Sequence, residues 1–147
     1  DAWKEARKKA YQGSRMHFLR SYYDSSLKKE GFFVDILADG SLTKFDRLAN
    51  PYDTADYFTN DSTSDVELWF PKKVSISYTK MKPDPAYLQQ MGLPANVPIQ
   101  LSYVDLWETI YIKPNGYFTD QRSWVNQGYW SWKNLADQLP YDYEPQE

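Results

Sequence analysis

His17 is the only histidine in the chain, and it stands among residue types that hydrolases use. Ser14 lies three residues before it and Ser21 four after, with Asp24 further along the same helical face. A hydroxyl, an imidazole and a carboxylate are the ingredients of nucleophilic acyl transfer. A regular helix denies them a strained elbow for the nucleophile and a preformed oxyanion hole, so the triad reading fails. The histidine reads instead as structural, with one ring nitrogen bonding a backbone carbonyl or a nearby carboxylate.

The acids offer a second chemistry. Asp105 and Glu108 fall in a strand-rich stretch, and Asp84, Asp120 and Asp137 are scattered about the chain. Glycoside hydrolysis needs a pair of carboxylates across a cleft. Twenty Asp and Glu in 147 residues produce such spacings by chance, and the chain reads as non-enzymatic. With no cysteine and one histidine there is no zinc-ligand spacing. The oxygen-rich Asn60–Asp65 run lacks the alternating ligands and central glycine of a calcium loop, and it reads as a solvated loop. Phosphate-cradling glycine motifs are absent, so the sequence implies no metal, nucleotide or other cofactor.

Aromatic residues supply the third. They make up 18% of the chain, and Trp124, Tyr129 and Trp130 cluster near Asn126, Gln127 and Asp137. Flat rings beside polar groups make a stacking platform for sugars, so these three are the candidate ligand-binding residues. The competing reading puts Trp132 in the core by helical spacing and uses Trp130 to seal a helix against a sheet, with Trp130 the ring best placed to escape burial.

These groups need elements to hold them. Residues 2–30 contain no proline, and Gly31 follows as a C-cap with Lys28 and Lys29 suiting the negative end of a helix dipole. The spacing predicts one long helix. Phe18, Tyr11, Tyr22, Leu19, Tyr23, Met16 and Leu27 form a broad apolar arc, opposite a stripe of Ala10, Gly13, Ser14, His17 and Ser21. Small side chains along one face imply that another segment approaches closely there. Residues 32–37 read as a strand, with an Asp39-Gly40 turn and a return strand over 41–45. A long loop is expected over 46–65. Residues 73–80 alternate, placing Val74, Ile76 and Tyr78 inward and Ser75, Ser77 and Thr79 outward. AYLQQM, 86–91, reads as a helical turn or two. The apolar phase of 99–113 slips near Tyr103-Val104, which predicts a bulge or break. Pro114, Asn115 and Gly116 make the strongest hairpin turn in the chain. Ser131 can cap a short helix with Trp132, Leu135, Ala136 and Leu139 on one face, ended by Pro140. The expectation is one α+β domain over residues 1–147: a long N-terminal helix packed on a mainly antiparallel β-sheet, with a short C-terminal helix.

Net charge is −3, which argues against nucleic acid as a partner. The first 30 residues carry eight Lys/Arg against four Asp/Glu, so the remainder is strongly acidic. That asymmetry reads as a basic helix laid across an acidic body rather than as a membrane or polyanion surface, with Arg20 pairing an acid of the body or the C-terminal tail. No stretch of 18 apolar residues exists to span a bilayer. The chain opens inside a helix, which reads as a processed or trimmed end with any export signal outside it.

Two segments carry a resemblance. Ala10, Tyr11, Gly13, Ser14, His17, Phe18, Leu19, Arg20 and Ser21, then Glu30-Gly31-Phe32, form one pattern. Gly128, Tyr129, Trp130, Trp132, Ala136, Asp137, Leu139, Pro140, Asp142, Tyr143 and Pro145 form the other. Together they resemble the C-terminal region of the carboxypeptidase-like regulatory domain-containing proteins of Bacteroidetes, as does the strand–Asn-Gly–strand IKPNGYF. Tyr22 departs from that pattern, which has an aliphatic residue there. The resemblance implies an exported protein of the cell envelope, in the periplasm or at the outer membrane or cell surface. It implies that this chain is the domain downstream of a transthyretin-like β-sandwich, with protein or glycan partners. It implies no peptidase activity and supplies no catalytic residues. The expected function is a non-catalytic accessory or interaction domain; the alternative is a glycan-binding module using the C-terminal aromatic residues.

Overall fold

The structure, a computed structural model, describes residues 2–52, 65–136 and 139–145. Asp137, most of the expected loop over 46–65 and all of the Asn60–Asp65 run except Asp65 lie outside them.

The N-terminal rod is broken. Three helices replace it: α1 (Ala2–Tyr11), α2 (Arg15–Tyr23) and α3 (Leu27–Glu30). The first break is the Gly-Ser step. Gly13 takes φ +81°, which a right-handed helix cannot accommodate, and Ser14 turns extended to cap α2 by accepting from His17 N at 3.0 Å. The second break is at Asp24–Ser26, where Ser25 has φ +55° and Ser26 N bonds back to Ser21 O at 2.8 Å. Gly31, at φ +100°, caps α3 in the left-handed conformation. Breaking the rod lets α2 sink into the molecule, and seven of its nine residues are buried.

Among the described residues, eight strands form two antiparallel sheets. The first has five strands: β1 (Phe32–Leu37), β2 (Phe45–Arg47), β4 (Val74–Tyr78), β5 (Gln100–Leu106) and β8 (Trp124–Gly128), in the order β2-β1-β4-β5-β8. The second joins β3 (Val66–Leu68), β6 (Ile110–Ile112) and β7 (Phe118–Thr119), in the order β3-β6-β7. The return strand starts at Phe45, later than the pattern suggests, because the Ser41 hydroxyl accepts from Thr43 N and Lys44 N and holds 41–44 in a turn. No bulge interrupts β5. It pairs in unbroken register with β4 and with β8, and the break falls beyond Leu106. The Asn115-Gly116 turn joins β6 to β7, with Gly116 N bonded to Lys113 O at 2.9 Å.

Among the described residues, two further α-helices follow. α4 (Pro85–Gln90) is capped by Asp84, whose carboxylate accepts from Ala86 N at 2.9 Å. α5 (Tyr129–Ala136) begins two residues before Ser131, and its Trp130 N–H donates to the Ser102 hydroxyl on β5 at 3.0 Å. The core cluster joins Phe18, Leu19 and Tyr22 of α2 to Phe32, Val34, Ile76 and Val104 of the large sheet. Val66, Leu68, Ile110, Ile112 and Phe118 of the small sheet complete it.

Candidate functional site

His17 is 5% exposed and has no idle nitrogen. Its Nδ1 accepts from Gly13 N at 3.0 Å, and its Nε2 lies 3.0 Å from Glu30 Oε1. An acceptor Nδ1 requires the proton on Nε2, so the neutral ring donates to Glu30. The result is a capping box with an imidazole in the glutamate's role: Ser14 accepts from residue 17, and residue 17 reaches back to the backbone beside the cap. Tyr11 stacks on the ring at 4.8 Å between centroids, and Phe32 and Tyr78 meet it edge-on. Burial lowers the imidazole pKa below its ordinary 6.5, while Glu30 pulls the other way. Burial likewise raises the Tyr11 and Tyr78 phenols.

The serines beside it serve the backbone. Ser14 is occupied as a cap, and the Ser21 hydroxyl donates to His17 O at 2.8 Å. Neither offers the ring a nucleophile.

Arg20 holds the hairpin turn and the C-terminal segment to α2. Its Nε donates to Asn115 O at 2.8 Å and its Nη2 to Tyr141 O at 3.2 Å, while Glu144 stands 3.9 Å from Nη1 and is largely exposed. The acid in the tail is present, but the two carbonyls are the closer partners. Gly116 packs against the Arg20 and Met16 side chains, where a Cβ would come within 3.2 Å of Arg20 Cγ.

The C-terminal aromatic cluster is inside. Trp124, Tyr129 and Trp130 are 6%, 3% and 2% exposed, so the expected stacking platform has no open face. Trp130 Nε1 donates to Gly13 O at 2.7 Å, and its ring packs on Phe18 and Trp124. The Tyr129 hydroxyl accepts from Asp84 N at 3.1 Å. Trp132, expected in the core, is instead half-buried. It packs on Tyr87 and Tyr129 and donates to Gln90 Oε1. The helix starts at Tyr129, three residues before the Trp132 start that a Ser131 cap predicts, and it carries Trp130 inward and Trp132 on its flank.

The carboxylates do not converge. Asp84 and Asp120 cap short helical turns, and Glu108 is exposed in the connection after β5. Among the described residues no three His, Cys, Asp or Glu gather as a metal would require. A groove of about 520 Å³ between the α2–α3 turn and residues 47–52 has Lys28, Lys29 and Arg47 on its walls. Arg47 is committed there to Asp35 and lies over the Phe33 ring.

The surface that sequence reasoning missed is the outer side of the five-stranded sheet. Register aligns Arg47, Asp35, Ser75, Tyr103 and Gln127 across its strands, with Phe33, Ser77 and Leu101 in a parallel row. The side chains are apolar enough to bury Ser75 and Ser77, which the alternation of β4 sends outward. Phe45 reaches Tyr103 with ring centroids 5.6 Å apart, and Lys73 Nζ bonds Gln127 Oε1 at 3.0 Å near the same ring. Trp107 continues the ladder beyond β5, its N–H bonded to Ser123 O at 3.0 Å, and is 73% exposed. It is the first residue past the end of β5, two positions beyond Asp105. The signal was the apolar phase slip at Tyr103-Val104. It marks a strand with Gln100 and Ser102 buried and Leu101 and Tyr103 turned outward.

No family model, curated protein or solved structure matches the chain.

Proposed function

We propose that this chain is a non-catalytic interaction domain of a cell-envelope protein, and that it meets its partner through the outer face of the five-stranded sheet. The envelope assignment rests on the resemblance carried by residues 10–32 and 128–145. The observation behind the non-catalytic reading is the engagement of both His17 nitrogens by Gly13 and Glu30, which leaves the imidazole no free nitrogen to accept a proton. The choice of face rests on Trp107, a large exposed ring just past the end of β5, its N–H bonded to Ser123 O. Exposed aromatics on a fixed scaffold bury large area at little conformational cost on binding.

Co-sedimentation with a washed envelope fraction of Bacteroidetes cells tests the reading. The wild-type domain is expected in the pellet, and Trp107→Ser is expected to weaken binding by at least about tenfold with unchanged melting. Equal pelleting of both proteins, or no pelleting of either, contradicts it.

A further inference from the structure

The outer sheet face also defines the chemistry of a partner, and the inference rests on the interaction reading above. We infer that this face binds a neutral glycan chain lying along β5, with Trp107 as the stacking ring and Asp105 as a hydroxyl acceptor.

Three observations carry it. The first is the open indole: Trp107 is 73% exposed, and no other ring or cation lies against it among the described residues. A pyranose presents an apolar face of C–H groups, and an indole is the broadest flat partner for it. The second is what stands two residues away. Asp105, the last outward-turned residue of β5 and two residues before Trp107, is half-buried and has no cation within ion-pair distance among the described residues. A carboxylate fixed beside a stacking ring can accept hydrogen bonds from the hydroxyls at a sugar's rim. Farther along, Tyr103 and the Lys73–Gln127 pair offer further donors and acceptors. Tyr103 and Trp107 are separated by about 13 Å of strand, a span for an oligosaccharide rather than a single ring.

The third is charge. Asp35 and Asp105 on this face are balanced by Arg47 and Lys73. A face without a net field steers neither polyanions nor polycations, and it fits an uncharged polymer whose recognition is local. A second copy of the chain is the competing occupant. A dimer through this face would have to desolvate Asp105 in both copies.

Affinity gel electrophoresis tests the inference with four soluble neutral polysaccharides: hydroxyethylcellulose, laminarin, arabinoxylan and galactomannan. Polygalacturonate serves as the anionic probe. At least one neutral polymer is expected to retard the wild-type domain. Trp107→Ala is expected to weaken that retardation by at least about tenfold, and Asp105→Ala by about threefold or more. Trp3→Ala, which removes an exposed ring on α1, is expected to bind as wild type. Melting curves of all variants should coincide, because the altered side chains lie outside the core. The inference is overturned if no neutral polymer retards the domain, if only polygalacturonate does, or if Trp107→Ala binds as tightly as wild type. A Trp107-dependent dimer in sedimentation equilibrium, without retardation, would assign the face to a second copy. Failure with every polysaccharide while envelope co-sedimentation persists would remove the glycan and keep the interaction domain. Loss of both would remove the reading beneath it.

Discussion

Trp130→Ala is expected to destabilise the domain by about 3–5 kcal/mol, the largest effect of any single truncation here. The indole is 2% exposed and touches Phe18 of α2 and Trp124 of β8, so its loss opens a cavity where the central helix meets the large sheet. It also removes the N–H that satisfies Gly13 O at 2.7 Å. A buried carbonyl left without a donor costs about 1–3 kcal/mol by itself. Trp130→Phe separates the two parts, because it keeps most of the ring volume and deletes the donor. Urea unfolding of both variants should rank Ala well below Phe, and Phe below wild type. Wild-type stability in Trp130→Ala would mean that the ring faces water, and the C-terminal aromatics would return as a stacking platform.

Gly13→Ala is expected to cost on the order of 3 kcal/mol. The left-handed φ of +81° penalises any Cβ by about 1–2 kcal/mol. The added carbon would also collide with the Gln100 amide oxygen and come within 2.5 Å of Tyr78 Cδ2. Both neighbours are buried, and overpacking such a site costs about 1–3 kcal/mol more. Gly40→Ala is the control, since Gly40 has φ +72° and nothing within 4 Å of a Cβ. Thermal unfolding should show a clearly larger drop at position 13 than at position 40. Equal drops would mean that the bend at Gly13 is not pressed against Tyr78 and Gln100.

What the sequence discloses here follows the range of the interactions. β1, β4, the Asn115-Gly116 hairpin and the Gly31 cap are written in neighbouring residues, through alternation and through glycine at positive φ. The α+β class is legible for the same reason. The unbroken rod was a misreading of a Gly-Ser step that local pattern treats as tolerable in a helix. That step is fixed by a donor 117 positions away, the Trp130 indole. The small-residue stripe did carry a true message, because Gly13 is where Tyr78 and Gln100 approach most closely. His17 was placed on a helix face, whereas its role comes from being the third residue after a cap, which the S-x-x-H spacing encodes once the break is known. For the C-terminal aromatics, α5 starts three residues earlier than a Ser131 cap predicts, and Trp130 rather than Trp132 is the ring in the core. The outer face of the large sheet was hidden for a different reason. Alternation reports which residues share a side, and β5 puts apolar groups on both sides, so its pattern looked like an irregularity.

The account stands on the imidazole of His17 being a neutral backbone ligand and not a proton acceptor for chemistry. Nitrogen-15 NMR of the histidine ring across a pH titration reads this directly. The neutral ring should carry its proton on Nε2, toward Glu30, and leave Nδ1 bare for Gly13 N–H. Its midpoint should fall below 6.5, because burial disfavours the charged ring more than Glu30, opposed by Lys80 and Arg20, restores it. Tyr11 and Tyr78, which also face the ring, stay protonated throughout. The linked contribution to stability is then complete above about pH 6.5, where the unfolded ring is neutral as well. It declines as the pH falls from there toward the folded midpoint. A midpoint at or above 6.5, or a proton on Nδ1, would contradict the account and return His17 to the list of working groups.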